Sequence, residues 1–404
     1  MTNHFNTLII GGGAAGFFTA INLAEQTENY SIAILERGKD VLQKVRISGG
    51  GRCNVTHANF EPLSLSMNYP RGEKELLGPF HSFMTGDTVA WFEERGVELK
   101  IEDDGRMFPV SNSSESIVDC FMSLSRKHNI QIKTSENVIS VDQKGKKWSV
   151  ETKNQLFTAD HLVIAAGSSP KIWDLLKNLG HTITDAVPSL FTFNIVDKAI
   201  TSLSGIALEA RVEIPLLKLE SDGPLLITHW GFSGPAILKM SAWGARKLNE
   251  VDYKFDLVIN WLNYINHENA LETLVGRRNS SKKKVENDCP FDLPKRLWQY
   301  LISTTTLSEK SWADCSNKDL DLLAKTLTAS IFPINGKSTF KEEFVTAGGV
   351  DLKEIKFKTF ASRKHENLYM AGEVLNIDAI TGGFNFQNAW TGGYMIARAI
   401  ASES

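Results

Sequence analysis

The sequence predicts an α/β fold of the Rossmann-like kind, interrupted by a second folding unit. Three observations predict it. A strand–glycine–helix–strand–acid unit stands at positions 7–37, a buried strand ending in small residues lies at 161–170, and a strand, an acid, glycines and a helix recur near the C-terminus.

The first unit reads TLIIGGGAAGFFTAINLAEQTENYSIAILER. Leu8, Ile9 and Ile10 form a short apolar run suited to a strand buried on both faces. Gly11, Gly13 and Gly16 hold the G-x-G-x-x-G spacing. Phe17, Ala20, Ile21 and Ala24 recur at helical spacing, so a helix opens within the glycines. A second apolar run, from Ile32 to Leu35, ends at Glu36, about 20 residues past the last glycine. Gly11 permits a tight turn, Gly13 lets backbone approach a pyrophosphate, and Gly16 lets helix pack closely on strand. The helix N-terminus offers free N–H groups and partial positive charge to phosphates. Glu36 is suited to accept hydrogen bonds from ribose hydroxyls, and a bound dinucleotide is expected.

The chain has 404 residues, enough for two domains, and its 42% hydrophobic and 23% charged content is that of an ordinary globular protein. A formal net charge of −3 gives no electrostatic reason to expect nucleic acid. Cys53, Cys120, Cys289 and Cys315 form no C-x-x-C pair. They read as reduced thiols, neither a disulfide frame nor a metal site. The first strand leaves no room for a signal peptide and no apolar run is long enough for a bilayer, so a cytoplasmic protein without a membrane partner is expected. The oligomeric state stays open.

After Glu36, the stretch RGKDVLQKVRISGGGRCNVTHAN contains Ser48, Gly49, Gly50, Gly51, Arg52, Cys53, Asn54 and Thr56. It reads as neither regular helix nor regular strand. Consecutive glycines mean close backbone approach, and beside a dinucleotide fold the cofactor is what approaches. Arg52 and Asn54 supply donors for it. Cys53 is read as packing against the ring system, with a redox role as the alternative. Residues 73–96 read as mainly helical and 105–109 as a loop or short hairpin. Ser113 or Ser114 caps a helix carrying Ile117, Val118, Phe121 and Leu124. Ile130, Ile132, Val138, Ile139 and Val141 read as strand residues, and 144–147 as a polar turn before a strand around Trp148 and Val150. HLVIAAGSSP then ends in Ala165-Ala166-Gly167, where a ligand can lie against backbone at a strand's carboxyl end.

Near Pro188 the pattern changes to alternation, at 191–195, 210–214 and 253–257, as in half-buried antiparallel strands. Between them Gly231 and Gly234 make a turn and Pro235 starts a helix through Ile237, Leu238 and Ser241. His229, beside that turn, reads as a satisfied structural residue, with a substrate-facing role as the alternative. Residues 267–330 read as helices with polar breaks, and Arg277, Arg278 and Lys282 to Lys284 as an exposed loop. Residues 191–340 therefore read as a separately folded insert between 1–190 and 341–404. The last stretch returns to the first pattern. Gly348 and Gly349 lie in FVTAGGVDLKEI, an apolar strand runs from Leu368 into Gly372 and Glu373, and a turn at Gly382-Gly383 opens a helix bearing Ala389, Met395, Ile396 and Ala399. The two chain ends are expected to complete one site.

The runs GGGAAG at 11–16, SGGGRCNVT at 48–56, THWGFSGPAIL at 228–238, TAGGV at 346–350 and AGEVLNIDAITGGFNFQNAWTGG at 371–393 resemble the BaiN/YhiN-like bacterial flavoproteins over nearly the whole chain. The resemblance implies FAD in a two-part Rossmann-like domain, of the two-dinucleotide-binding-domain flavoprotein type, interrupted by a unit of β-barrel and helices. It implies Ala15 and the neighbouring glycines at the pyrophosphate, Glu36 at the adenosine ribose, and Arg52 and Asn54 near the flavin half. Val138 resembles the strand residue whose backbone meets the adenine. Glu373 falls near the ribityl chain or pyrophosphate, and Gly382, Gly383, Asn385, Phe386 and Gln387 near the isoalloxazine. Ala14, Arg37, Lys44, Ser48, Gly50, Gly51, Cys53, Ala166, Gly167, Gly372 and Asp378 complete the candidate cofactor-binding set.

No Ser/His/Asp set, carboxylate pair or metal-ligand spacing stands out, so no catalytic residue is named. The chemistry of such a protein belongs mostly to the flavin. The leading expectation is an FAD-dependent oxidoreductase that uses NAD(P)H to reduce a small organic substrate, such as a conjugated carbon–carbon double bond. The alternatives are an oxidase of a small amine returning electrons to oxygen, and a flavin-bearing RNA-modifying or regulatory protein.

Overall fold

Leu8, Ile9 and Ile10 are buried at the centre of a parallel sheet, in strand β1 (Asn3–Ile10). The structure is a computed structural model and describes residues 3–338 and 345–403. β1 pairs in parallel with the strand Leu156–Ile164 on one side and with β2 (Ile32–Leu35) on the other. Gln131–Lys133 extends the sheet beyond β2, and Leu368–Met370 extends it beyond Leu156–Ile164, both in parallel. Every residue of β2 is buried, which is why these strands read as solid apolar runs rather than alternating ones. The short antiparallel strands Ala361–Ser362 and Ile355–Lys356 finish one edge. The hairpin of Val138–Lys144 and Lys147–Thr152 joins Leu156–Ile164. Ile130 lies just outside its strand, which starts at Gln131.

Helix α1 (Ala14–Gln26) packs along the terminal helix Phe384–Ala401. A Cβ on Gly393 would lie 3.1 Å from the Ala15 carbonyl oxygen, and one on Gly392 would lie 3.0 Å from the Ala371 methyl. Gly393 thus sets the helix spacing, and Gly392 lets the terminal helix approach Ala371. Beneath them lies an aromatic core: Phe18 stands with its centroid 4.6 Å from Trp91 and 5.2 Å from Trp390. The Trp390 indole donates to the Val55 carbonyl at 2.9 Å, so the last helix is tied to the glycine-rich stretch.

By its contacts the chain divides into two compact units, residues 1–187 with 345–404, and residues 188–344. The expected return boundary at 340/341 lies outside the described residues. The outgoing strand Ile183–Ser189 and the returning strand Val345–Val350 pair with each other. The second unit is a closed antiparallel barrel. Its strands, in spatial order, are Thr192–Ile195, Gly231–Ser233, Leu219–Ile227, Ala207–Ile214, Lys254–Asn260 and Ser330–Ser338. The helices His267–Ser280, Lys295–Ser303 and Asn317–Thr328 share its hydrophobic core.

Of four local expectations, the irregular glycine stretch and the Ser113-or-Ser114 cap are met, and those for Thr56 and for Arg277 and Arg278 are corrected. The stretch before Arg52 is a helix, Gln43–Gly51, broken from within: Ser48 is extended, and Gly49 and Gly50 are left-handed at φ 57° and 67°. Thr56 opens a short strand paired with Met107. Ser114 holds the N-cap position of Glu115–Lys127, but its hydroxyl donates to the Arg46 carbonyl, and the Glu115 N–H finds Ser113 Oγ instead. Arg277 and Arg278 lie in the last turn of a helix, not a loop. Arg277 grips Asp288, Lys283 lies 3.8 Å from the same carboxylate, and Lys284 pairs with Glu309 at 2.8 Å.

One buried ion pair pins the returning chain. Asp378 is 0% exposed, and Arg71 clamps it through two N–H groups. The Ile380 N–H also donates to the Asn68 carbonyl at 3.1 Å. Removing one partner strands a buried charge, which costs about 3–5 kcal/mol. Asp378→Ala is therefore expected to lower urea unfolding stability by that amount, and Asp378→Ala with Arg71→Met to recover most of it; equal losses in both would refute the clamp.

Candidate functional site

The site is built on the carboxyl ends of the parallel strands, where open α/β sheets bind ligands. The ends stand in a row. The Gly11 N–H donates to the Leu35 carbonyl at 2.9 Å, Ala165 N–H to Ile10 at 2.8 Å, and Ala371 N–H to Ile164 at 3.1 Å. Gly11 has φ +118°, and a Cβ there would fall 2.3 Å from the Ala165 carbonyl oxygen. A Cβ on Gly16 would fall 2.0 Å from the Gly11 carbonyl oxygen. Both glycines are demanded by the protein's own packing.

Gly13 differs. Its φ of −102° suits any residue, and a Cβ there would meet nothing within 4 Å. The protein gives no reason for glycine at this point, whereas a phosphate lying on the backbone would. The first turn of α1 carries neither a side-chain cap nor an acidic residue, so the N–H groups around Ala14 and Ala15 have no competing partner there. Glu36 is held by two backbone donors: Gly12 N–H to Oε2 at 2.9 Å and Gly38 N–H to Oε1 at 2.7 Å. Each oxygen keeps a lone pair for a ribose hydroxyl, and the negative charge disfavours a 2′-phosphate. An open glycine, an uncapped helix start and an oriented acid fit the adenosine diphosphate half of FAD.

Three further segments meet this turn. A Cβ on Gly372 would lie 3.5 Å from the Ala15 methyl, and one on Gly167 would lie 3.6 Å from Glu373 Oε2. Lys44 closes on Glu373 at 2.6 Å. Ala15, Lys44, Ala166-Gly167 and Gly372-Glu373 are thereby neighbours, so both chain ends reach one edge. Arg37 is exposed just beyond Glu36, and Val138 is buried at the start of its strand.

Other candidate side chains have work inside the protein. Arg52 pairs with Glu102 at 2.5 Å, with its guanidinium 3.9 Å from the Phe108 centroid. Asn54, with Nδ2 turned to donate to the Thr56 carbonyl, accepts the Gly383 N–H, both at 3.0 Å. Both side chains brace the protein's own segments. Gly383 has φ +93°, and a Cβ there would fall 2.7 Å from the Thr56 carbonyl oxygen; one on Gly382 would fall 2.8 Å from the Phe384 ring. Asn385 accepts the Ala379 N–H at 3.1 Å, and Phe386 stacks on Trp390 at 5.5 Å. Gln387 is fully buried, accepting the hydroxyls of Thr56 at 2.6 Å and Thr88 at 3.0 Å. This segment is thus braced by side chains and has backbone left to offer. Gly50 lies open, with nothing within 4 Å of a Cβ, whereas a Cβ on Gly49 would strike the Phe108 ring at 2.8 Å.

Cys53 is fully buried, and desolvation pushes its thiol up to about 12. That removes the thiolate on which a redox role depends. His57 is a residue the sequence reading passed over. Its ring stacks on Phe384 with centroids 4.6 Å apart, and Gly382 lies against it. Burial lowers its pKa, so it is neutral at pH 7. No spacing rule would have singled it out, because the contact spans more than three hundred residues of chain.

Fold and site together define the class, an FAD-dependent oxidoreductase. The chain belongs to the family described as HI0933-like protein Rossmann domain, which it matches over residues 5–399. It is 28% identical over 418 residues to a ribosomal RNA dihydrouridine synthase of Haemophilus influenzae, covering 100% of both chains. It is 25% identical over 414 residues to a 3-dehydro-bile acid delta(4,6)-reductase of Clostridium scindens, covering 97% of this chain and 98% of that one. Among solved structures, a 3-ketosteroid-delta4-(5alpha)-dehydrogenase of Rhodococcus jostii aligns at TM-score 0.52 and 11% identity, over 99% of this chain and 97% of that one. A flavocytochrome c3 fumarate reductase aligns at TM-score 0.52 and 12% identity, over 99% and 78%. At such identity these two establish the fold alone. Among the described residues no helix is long and apolar enough to cross a membrane, and no group of His, Cys, Asp or Glu could hold a metal ion.

Two outcomes test the site. Gly13→Ala is expected to melt like the wild-type apoprotein, or slightly higher, while retaining far less FAD; Gly11→Ala is expected to destabilise the apoprotein itself. Equal behaviour of the two would break the distinction. The Cys53 thiol contributes stability that is full below about pH 8.5, its unfolded value, and is lost as pH rises toward 12. Urea unfolding across that window should fall more steeply for wild type than for Cys53→Ala.

Proposed function

We propose that this chain reduces a carbon–carbon double bond conjugated with a carbonyl group, that its substrate is uridine in ribosomal RNA, and that NAD(P)H is the electron source. The observation that carries this reading is a shared chemistry among end-to-end relatives with unlike substrates. Dihydrouridine differs from uridine by saturation of the C5–C6 bond, and a delta(4,6)-reductase saturates carbon–carbon bonds as well. A second RNA enzyme of the same description, from Escherichia coli, is 27% identical over 417 residues, which favours RNA as the substrate. The small net charge, which gave no reason to expect nucleic acid, is an average over the chain and does not speak to local surfaces. The bile-acid relative supports a second reading, a small flat enone.

FAD, once reduced by the electron source, would supply a hydride to one carbon of the double bond, and a proton would complete the other. Residues of this chain hold and orient the FAD: the α1 N-terminus and the open backbone of Gly13 take the pyrophosphate, and Glu36 takes the ribose diol. One glycine–acid unit is present in the sequence, and FAD takes it. NAD(P)H therefore has no Rossmann domain of its own and is expected to bind weakly and to leave before the substrate enters.

Anaerobic mixing tests this. NADH or NADPH should bleach the flavin absorbance, and unmodified ribosomal RNA should then restore it while one uridine gains two hydrogens by mass spectrometry. Restoration by a flat enone but not by RNA would install the second reading. Bleaching by a small amine alone, with recovery on oxygen, would make the protein an oxidase.

A further inference from the structure

The first residues of the run THWGFSGPAIL form the tip of the hairpin between Leu219–Ile227 and Gly231–Ser233. The tip is tightly fixed. Thr228 N–H donates to the Gly231 carbonyl at 2.7 Å, and Thr228 Oγ1 accepts the N–H groups of Trp230 at 3.2 Å and Gly231 at 3.1 Å. The Trp230 carbonyl accepts the Ile195 N–H at 3.0 Å from the neighbouring strand. Gly231 has φ +146°, and a Cβ there would fall 2.2 Å from the Phe193 carbonyl oxygen. Four hydrogen bonds and the close approach at Gly231 hold the backbone of this turn.

What the rigid turn displays is not satisfied by the protein. The expectation that His229 is a settled structural residue is corrected: it is exposed, and among the described residues its imidazole has no hydrogen-bond partner. Trp230 is 59% exposed, although seven of the nine tryptophans are buried. Its indole N–H likewise has no partner among the described residues. Ile195 stands across from Trp230, and Val196, which follows it in the chain, is 69% exposed. The nearby acid, Asp197, is occupied: it caps the turn at Ala199 N–H, 2.8 Å, and accepts the Tyr300 hydroxyl at 3.1 Å.

We propose that the His229–Trp230 tip is a docking point for RNA, in which the Trp230 indole stacks on an unpaired base and His229 hydrogen-bonds to the adjoining nucleotide. An aromatic face on a fixed backbone takes any base and loses little entropy on binding. An imidazole beside it offers a donor and an acceptor. A buried tryptophan would serve the fold; an exposed one on a locked turn serves a ligand with a flat face. The assignment rests on the RNA reading above.

The test uses the FAD-loaded full-length protein and unmodified ribosomal RNA transcribed in vitro. Trp230→Ala should weaken RNA retention about ten- to hundred-fold, the scale of losing one stacked base. Trp230→Phe should stay within a few-fold of wild type, and His229→Ala should lose less than Trp230→Ala. Leu216→Ala, at another exposed apolar position of the barrel, should have no effect. Flavin content and melting temperature establish that each variant is folded. If wild type retains RNA and Trp230→Ala retains it equally, the tip assignment is overturned while the RNA reading stands. If wild type neither retains nor reduces RNA, the RNA reading falls and the tip falls with it. If Trp230→Ala impairs turnover of a flat enone and leaves RNA retention intact, the tip serves a small molecule and the assignment is overturned.

Discussion

Everything in the first unit depends on how closely β1 can turn into α1. The Gly11 carbonyl oxygen lies where a side chain on residue 16 would be, and the Ala165 carbonyl lies where one on residue 11 would be. The turn closes only because both positions lack a Cβ. Closure brings the start of α1 to the edge formed by three parallel strand ends, with its N–H groups unspent. The same glycines that make the fold possible therefore leave the start of α1 open, and Gly13, where a Cβ would meet nothing within 4 Å, is the part of the run the fold does not need.

The return of the chain is a second constraint, met by different means. Terminal-helix placement uses buried polar braces: Gln387 to Thr56 and Thr88, Asn54 to Gly383, Trp390 to Val55, and Arg71 to Asp378. Each joins residues far apart in sequence, and each is costly to leave half made. Such braces orient a segment. A site assembled from both ends of a chain needs them, because no local turn holds Gly372-Glu373 beside Ala15.

Legibility in the sequence followed the range of the interaction. Glycine spacing, solid apolar runs and the acid after β2 are local, and each corresponds to a feature of the structure. Alternation at 191–195 and 253–257 told of antiparallel strands, but closure into a barrel depends on pairing between Thr192–Ile195 and Ser330–Ser338, which no local pattern carries. Side-chain roles were the least legible. Arg52 and Asn54 are polar residues beside glycines, and composition alone makes them look like ligand donors. Their partners, Glu102 and Gly383, are set by tertiary packing. His57 and His229 show the same limit in opposite directions: one passed over although it stacks beside Gly382, the other read as satisfied although it stands free.

The barrel tip also bears on how a chain of net charge −3 could work on RNA. Binding through phosphates releases counterions and weakens steeply with salt, so it calls for many free cations. The strongest basic cluster in this chain is spent: Arg277 and Lys283 face Asp288, and Lys284 faces Glu309. Base–aromatic stacking itself needs no net charge. An enzyme that must unstack one base to reach its double bond gains from holding a neighbouring base on a fixed aromatic face, because the cost of unstacking is then partly returned. Charge composition argues against a phosphate-tracking surface and is silent about a turn that presents one indole and one imidazole to solvent.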